Sequence, residues 1–222
     1  MKTKITTLIL SIIAVPFAFS QGFLNLDFES ANISGYPPNS MNVPISSALP
    51  GWGAYFISGG TTNTLTQVGY DAISLGSAGI SVIDSNAPAF SPLQGNYSAM
   101  LFGSGFVTTA ISQTGLVPNG TKSLMMDIYA SDSFEVTLGG QAINMVPLQI
   151  FSNYTLYGGD ISSFANQVET LTLLAPPTGV PNITEWDAIV FSPSSIPEPS
   201  VFGLLILGGL FFGLRRRHNQ SR

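Results

Sequence analysis

Carboxylates stand near both ends of the body of this chain, where they could bind a cation. Asp27 and Glu29 flank Phe28 near its beginning, and Asp187 follows Trp186 near its end. Calcium binds about six to eight oxygen atoms, drawn from carboxylates, carbonyls and water. If the first and last strands lie side by side, Asp27, Glu29 and Asp187 predict a structural calcium (Ca²⁺) site. The alternative is that these acids face solvent on edge strands, where charge prevents edge-to-edge pairing.

Aromatic residues in or near the predicted loops offer a second kind of chemistry. Trp52, Tyr55 and Tyr97 belong to this set. Because aromatic faces stack on sugar rings, these three residues predict a glycan-binding surface. The alternative is core packing, where most Trp and Phe side chains of a small β-sandwich lie.

Missing residue types exclude several classes of site. The sequence has no Cys, and its single His is His218, near the C-terminus. Ser-His-Asp and Cys-His nucleophiles are therefore excluded, as is a zinc site with His or Cys ligands. A glycoside hydrolase with two carboxylates stays open. The sequence contains no hydrolase motif that we recognise, so we expect no enzymatic activity.

Charge is distributed very unevenly along the chain. Of its 7 Lys and Arg residues, only Lys122 lies between residues 21 and 196, whereas 11 of the 12 acidic residues lie there, which leaves a formal charge of −10. A nucleic-acid partner is excluded, because neutralising phosphates requires Lys and Arg. Calcium binding, or repulsion that keeps an exported protein soluble, fits this charge better.

Short alternating apolar segments between Gly, Pro, Ser, Thr and Asn indicate β structure in residues 21–191. Gly139-Gly140 suits a two-residue hairpin turn, in which φ is positive. This turn places Leu138 opposite Gln141, and its continuation puts apolar side chains on one face. The other predicted strands are Phe23–Phe28, Gly53–Ile57, Tyr97–Phe102, Leu124–Ala130, Tyr154–Tyr157, Val168–Leu174 and Trp186–Phe191.

Three short features of the body occur in a familiar order. They are Asn25-Leu26-Asp27-Phe28-Glu29 near its start, Trp52 in the following loop, and Trp186–Phe191 near its end. This order resembles the jelly-roll domains related to galactose-binding and carbohydrate-binding modules, although Asp27 stands where the family pattern has Gly. The resemblance implies an all-β fold, a single jelly-roll-like antiparallel β-sandwich. It also implies a structural calcium beside the first and last strands.

The first 20 residues have the pattern of a secretory signal peptide. Lys2 and Lys4 precede the mostly apolar segment Ile5–Ala14, and Ala18-Phe19-Ser20 places small residues where signal peptidase reads them. We expect residues 1–20 to form a signal-peptide helix that signal peptidase removes after Ser20.

The last 26 residues carry a second targeting pattern. Residues 192–196 form a linker, and the segment that follows contains Pro197, Glu198, Pro199, the apolar run 201–214, Arg215, Arg216 and Arg217. The prolines oppose helix formation, the apolar run can enter a bilayer, and the arginines stay on the cytoplasmic side. This order resembles the PEP-CTERM sorting signal of Gram-negative bacteria, here residues 197–222.

The sorting signal implies an exosortase as partner, cleavage near the Pro-Glu-Pro element, and transient anchoring in the inner membrane. The transmembrane helix 201–214 would be about 21 Å long, against a hydrocarbon core of ~30 Å. That length suits a segment that is recognised and cut better than a permanent anchor.

Together these features predict an exported, non-enzymatic protein with a structural or adhesive role. Its expected location is the bacterial cell surface or extracellular matrix, with extracellular polysaccharide as a partner. Two alternatives stay open: a lectin-like carbohydrate-binding module and a carboxylate-based glycoside hydrolase.

Overall fold

β-Strands make up about half of the computed structural model, which describes residues 22–72 and 78–196. The strands are β1 Ser40–Pro44, β2 Gly53–Ser58, β3 Thr61–Leu65, β4 Gln67–Tyr70, β5 Gly79–Ile83, β6 Ser98–Gly103, β7 Thr108–Leu116, β8 Ser123–Ala130, β9 Glu135–Leu138, β10 Gln141–Ala142, β11 Val146–Ile150, β12 Thr155–Asp160, β13 Val168–Ala175 and β14 Asn182–Ser192. A single α-helical turn, α1 Ile45–Ala48, follows β1, and a 3₁₀ turn, Ser162–Phe164, follows β12.

These strands form two sheets. The larger has the order β1-β4-β5-β6-β14-β8-β12-β11, and the smaller has the order β10-β9-β13-β7-β2-β3. β4 and β5 are parallel, and every other strand pair in the described residues is antiparallel. One large apolar core contains residues from both sheets. The predicted all-β, jelly-roll-like antiparallel β-sandwich is confirmed.

Period-two alternation explains how β8 contributes to this core. Leu124, Met126 and Ile128 lie on one face and are fully or almost fully buried. Trp186 of the neighbouring strand β14 pairs with Ile128 and is 0% exposed. Successive side chains of a strand point to opposite faces. The residues that alternate with these four along β8 and β14 therefore lie on the outer face of the larger sheet.

The predicted hairpin at Gly139-Gly140 is present. Both glycines have positive φ, 59° and 75°, as the tight turn requires. Leu138 pairs with Gln141 as predicted. Beyond the short strand β10, the amide of Ile143 donates to the carbonyl of Val136 at 2.8 Å, which continues the predicted register.

The predicted strand Phe23–Phe28 is wrong. Asn25 and Phe28 have φ of 49° and 57°, so the chain turns instead of staying extended. The Asn25 side chain stabilises this turn: its Nδ2 donates to the Pro50 carbonyl at 3.1 Å, and its Oδ1 accepts from the Ser30 amide at 2.9 Å. Asn can adopt positive φ and bond to nearby backbone, which outweighed the apolar alternation.

The segment of residues 23–28 nevertheless lies beside the last strand, which is the arrangement that the calcium prediction assumed. The Ile189 amide donates to the Leu26 carbonyl at 3.0 Å. The rings of Phe23 and Phe191 stack with centroids 4.8 Å apart. The two ends of the domain therefore meet through a loop and a strand.

A long loop, residues 85–97, covers part of the outer face of the larger sheet. We call it the covering loop. Ile83, Met100 and Phe102 form a small second apolar cluster on this face, and Ala87 and Phe90 of the loop pack against it. This packing fixes the loop over a face that would otherwise meet solvent.

The predicted targeting segments lie outside the described residues. These are the signal peptide 1–20, the sorting signal with Pro197, Glu198, Pro199, Arg215, Arg216 and Arg217, and its transmembrane segment 201–214. Within residues 22–72 and 78–196, no helix has the length and apolar character to cross a membrane. The predicted linker 192–196 is tied to the domain, because the Ser123 hydroxyl donates to the Ser194 carbonyl at 2.7 Å.

Candidate functional site

Two of the carboxylates predicted to bind calcium hold the covering loop and the start of β6. Glu29 accepts from the Asn96 amide at 2.7 Å, the Asn96 side chain at 2.8 Å and the Tyr97 amide at 3.0 Å. Asp187 accepts from the Ser98 hydroxyl at 2.7 Å and the Gln94 amide at 3.0 Å. Their oxygens are thus occupied by protein donors.

The structure does not assemble the predicted calcium set as one group. Asp27 is exposed, and its Oδ1 accepts from the Glu29 amide at 3.3 Å. In the described part of the chain, no three His, Cys, Asp or Glu side chains form a group that could hold a metal ion. Asp27, Glu29 and Asp187 each accept a hydrogen bond from a backbone amide of a nearby loop.

The aromatic residues predicted to stack on glycans lie in different settings. Trp52 is a core residue, 4% exposed, and its indole N–H donates to the Asn25 carbonyl at 3.1 Å, so its ring is not available to a ligand. Tyr55 is half-buried on β2 of the smaller sheet. Tyr97 is half-buried against the core at the end of the covering loop.

A different set of side chains comes together on the outer face of the larger sheet. Asp127 of β8 pairs with Asp187 of β14, and Tyr129 of β8 pairs with Glu185 of β14. Directly paired residues point to the same face of a sheet. The three carboxylates are at most 3% exposed, because the covering loop lies over them.

The covering loop supplies hydrogen-bond donors to two of these three carboxylates. Gln94 donates from its side chain to Asp127 Oδ2 at 2.5 Å and from its amide to Asp187. The same Gln94 side chain reaches the Tyr154 hydroxyl at 3.4 Å. Glu185 differs, because its Oε1 is buried and has no hydrogen-bond partner.

Burial dominates the electrostatics of this carboxylate cluster. It raises the pKa of Glu185 to about 8, against a lowering by the Ser98 hydroxyl, and the charge of Asp187 adds to the increase. Burial also raises the pKa of Asp187 to about 6, although bonds from Ser98 and Gln94 act in the opposite direction. The pKa of Asp127 is raised by the same cause and partly lowered by Gln94. Glu185 is therefore largely protonated at pH 7.

Two cavities open beside the cluster. The first, about 260 Å³, is lined by residues that include Tyr129, Asp132, Phe151, Asn153 and Tyr154. The second, about 310 Å³, is lined by Ala89, Phe90, Ser91, Leu93, Tyr129, Asn153 and Glu185. Because Tyr129 and Asn153 line both, the cavities are neighbours on one surface. We call them together the joined groove.

Aromatic rings are prominent in the joined groove. Phe151 and Tyr154 stack with centroids 4.6 Å apart in the first cavity. Phe90 and Tyr129 meet edge to face with centroids 6.1 Å apart in the second. Tyr129 is 38% exposed and Phe151 is 40% exposed. Large aromatic surface is thus open to a ligand beside carboxyl and amide groups.

The joined groove was not predicted, although part of its signal is present in the sequence. In β8 the polar or amphipathic residues Asp127 and Tyr129 alternate with core residues, and in β14 Glu185 and Asp187 flank Trp186. The alternation places these four residues on the outer face. It contains no information about which loop covers that face.

Comparison with known proteins finds likeness among solved structures. No family model and no curated protein matches the sequence. Among solved structures, the chain is similar to TmCBM61, determined in complex with β-1,4-galactotriose. The two chains are 13% identical, and the match covers 77% of this chain and 97% of that one with a TM-score of 0.43. The fold described above therefore rests on its own two sheets, and the site rests on its own residues.

Proposed function

We propose that the joined groove binds carbohydrate. The observation that supports this is the pair of adjoining cavities that share Tyr129 and Asn153. A sugar ring has apolar C–H faces and hydroxyl groups at its edge. It therefore suits a surface where exposed aromatic rings stand next to amide and carboxyl groups.

The two cavities suit an oligosaccharide better than a single sugar. Each has its own aromatic pair, Phe151 with Tyr154 in the first and Phe90 with Tyr129 in the second. Successive rings of a chain can then stack in the two cavities, with Tyr129 at the boundary. The residues that we expect to stack are thus different from the Trp52, Tyr55 and Tyr97 of the sequence-based prediction.

We propose binding without turnover. A glycoside hydrolase needs one protonated carboxylic acid and one ionised carboxylate that faces the substrate or a water. Asp127 and Asp187 each accept hydrogen bonds from the covering loop or from Ser98. Glu185 is the member of this cluster that retains an oxygen without a partner. Release of labelled product from a bound polysaccharide would contradict this part of the proposal.

The sequence-based localisation completes the proposed function. The domain would be exported with the help of signal peptidase, processed by an exosortase near residues 197–199, and delivered to the cell surface or extracellular matrix. There it would bind polysaccharide in a structural or adhesive role. Mass spectrometry of the mature secreted protein tests this, because it measures both ends. An intact C-terminus through Arg222 on secreted protein would contradict the processing.

The binding proposal is tested on a glycan array and on isolated matrix polysaccharide with the full-length protein. We expect binding that Tyr129→Ala weakens about tenfold, since losing one stacked ring costs about 1–2 kcal/mol. Phe151→Ala should weaken it as well. The control is Phe106→Ala, because Phe106 is 90% exposed in the turn between β6 and β7 and lines neither cavity. Equal binding by the three variants, or no binding by the wild type, would reject the proposal.

A further inference from the structure

Glu185 is buried and incompletely paired, and it lines a cavity. It is 2% exposed, it lines the second cavity of the joined groove, and its Oε1 has no hydrogen-bond partner. A buried acceptor without a partner destabilises the fold, because its hydrogen bond to water is lost and not replaced. Because Glu185 lines the second cavity, a ligand that enters there is a source of the missing donor.

No positive charge of the domain is available to Glu185. Lys122 is the only basic residue between residues 22 and 196. It precedes β8, whereas Tyr129, the partner of Glu185, lies near the other end of that strand. Seven residues of strand separate their backbones by roughly 23 Å. The charge that would balance Glu185 therefore has to come from outside the domain.

The cavity around Glu185 also contains aromatic rings. Phe90 and Tyr129 line it from the covering loop and from β8. Aromatic faces attract cations, and more strongly where water is excluded. A carboxyl group next to two rings is a chemical environment that suits an ammonium group.

We propose that the second cavity selects an amino sugar, whose ammonium group pairs with Glu185 and lies against the rings of Phe90 and Tyr129. This inference rests on the proposed carbohydrate binding and adds the class of sugar. Ligands with carboxylate, sulfate or phosphate groups are disfavoured, because the only charges near the site are negative.

A hydroxyl group matches the site less well than an ammonium group. It could donate to Oε1, but it leaves the charges of Asp127 and Asp187 unbalanced. Asp127 on β8 and Asp187 on β14 lie on the same face of the sheet as Glu185. Tyr129 is the other titratable group of these two strands on that face. The covering loop, β5 and β6 contain no charged residue. An ammonium group supplies both a donor and the missing positive charge.

Pairing with a cation is coupled to loss of a proton from Glu185. With a pKa of about 8, the free carboxyl is mostly protonated at pH 7. Formation of the ion pair transfers that proton to the buffer and leaves the amine protonated, so charge and protons balance. An amino sugar whose amine is already protonated should thus release most of one proton at pH 7. An amine that is neutral before binding takes the proton of Glu185 instead, so the measured release approaches the protonated fraction of the free amine, and binding of a neutral sugar should release none.

The test uses three tetrasaccharides with the same β-1,4 linkage, made of glucosamine, N-acetylglucosamine or glucose. They carry an ammonium, an acetamide or a hydroxyl group at the same carbon. We expect calorimetry on the full-length protein at pH 7 to show at least tenfold tighter binding of the glucosamine ligand. Titrations in two buffers with different ionisation enthalpies should show proton release with this ligand alone.

The variant Glu185→Gln should remove the preference for glucosamine. Glu135→Gln is the matched control, because Glu135 is an exposed acid on β9 of the smaller sheet and undergoes the same chemical change. The preference should survive in that control. Should Glu185→Gln fail to fold, the wild-type proton release still decides the question.

Two outcomes would overturn the inference. One is equal affinity for the three ligands, and the other is a glucosamine preference that Glu185→Gln leaves intact. If Tyr129→Ala still weakens binding about tenfold in either case, carbohydrate binding in the groove stands and only the amino-sugar selectivity is wrong. If the glucosamine ligand does not bind at all, the selectivity is also wrong, and the glycan array decides the broader proposal.

Discussion

Three consecutive residues of β14 show how differently the two faces of the larger sheet are buried. Glu185, Trp186 and Asp187 are each at most 2% exposed. Trp186 points into the core, where Phe134 meets it edge to face at 5.6 Å. Glu185 and Asp187 point outward, beneath the covering loop. Equal burial thus reflects apolar packing on one face and coverage by a polar loop on the other.

The two faces also differ in whether their buried polar groups have hydrogen-bond partners. On the inner face, the indole N–H of Trp186 donates to the Thr184 hydroxyl at 3.1 Å. On the outer face, Asp127 lies opposite Asp187, and Glu185 Oε1 has no partner. Burying charge without a partner costs free energy, which the protein normally avoids unless the group has a use. The inner face stabilises the fold, and the outer face is where a ligand would add stability.

The inner face should show the largest effect of a single substitution. Trp186→Ala removes the largest fully buried side chain and leaves a cavity between the sheets. We expect it to lower the free energy of unfolding by about 3–5 kcal/mol, measured by urea denaturation. Phe106→Ala removes a ring that is 90% exposed and should change it by less than about 0.5 kcal/mol. Similar losses for the two variants would contradict the role of Trp186 in the core.

The outer face should behave in the opposite way at high pH. The pKa of Glu185 is raised from its ordinary 4.5 to about 8, so the folded chain holds a proton that the unfolded chain releases. Stability from this group is therefore greatest below about pH 4.5 and declines as the pH rises toward 8. Glu185→Gln removes that decline.

We expect Glu185→Gln to raise Tm at pH 9 by roughly 5 °C, at ~2–4 °C per kcal/mol for a domain of this size. The same variant should have little effect at pH 4, where the wild-type carboxyl is neutral in both states. Thermal melts monitored by circular dichroism across this range provide the measurement. A lower Tm for the variant at pH 9 would show that Glu185 contributes to stability as an ion.

The contrast between the two faces also defines what the sequence could predict. The predicted strand Leu124–Ala130 is present, and Leu124, Met126 and Ile128 share its buried face, because strand alternation depends on local geometry alone. Asp127 lies on the opposite face of the same strand and is buried all the same. Its burial depends on where a loop from elsewhere in the chain docks, and strand periodicity carries no record of that.

Local hydrogen bonding explains the other failures of prediction. Leu24, Leu26 and Phe28 alternate like a strand, but the side chain of Asn25 bonds to backbone and turns the chain. This turn also brings the Asn25 carbonyl to the indole of Trp52, which lies in the core and not at a ligand surface. Apolar spacing alone does not distinguish these arrangements from a strand and a binding loop.

Glu29, which accepts hydrogen bonds from the covering loop, gives the smallest expected effect and a dependence on pH opposite to that of Glu185. Burial acts to raise the pKa of Glu29, but the hydrogen bonds from Asn96 and Tyr97 outweigh it and lower the pKa. The stability that Glu29 provides is therefore present above its ordinary pKa of 4.5 and is lost as the pH falls below it.

Glu29→Gln should lower Tm by about 1–2 °C at pH 7 and by less at pH 3, since the site is largely solvated. Glu135→Gln, on an exposed strand position, should leave Tm unchanged at both values. A Glu29 variant that melts like the wild type at pH 7 would show that its three hydrogen bonds do not hold the loop.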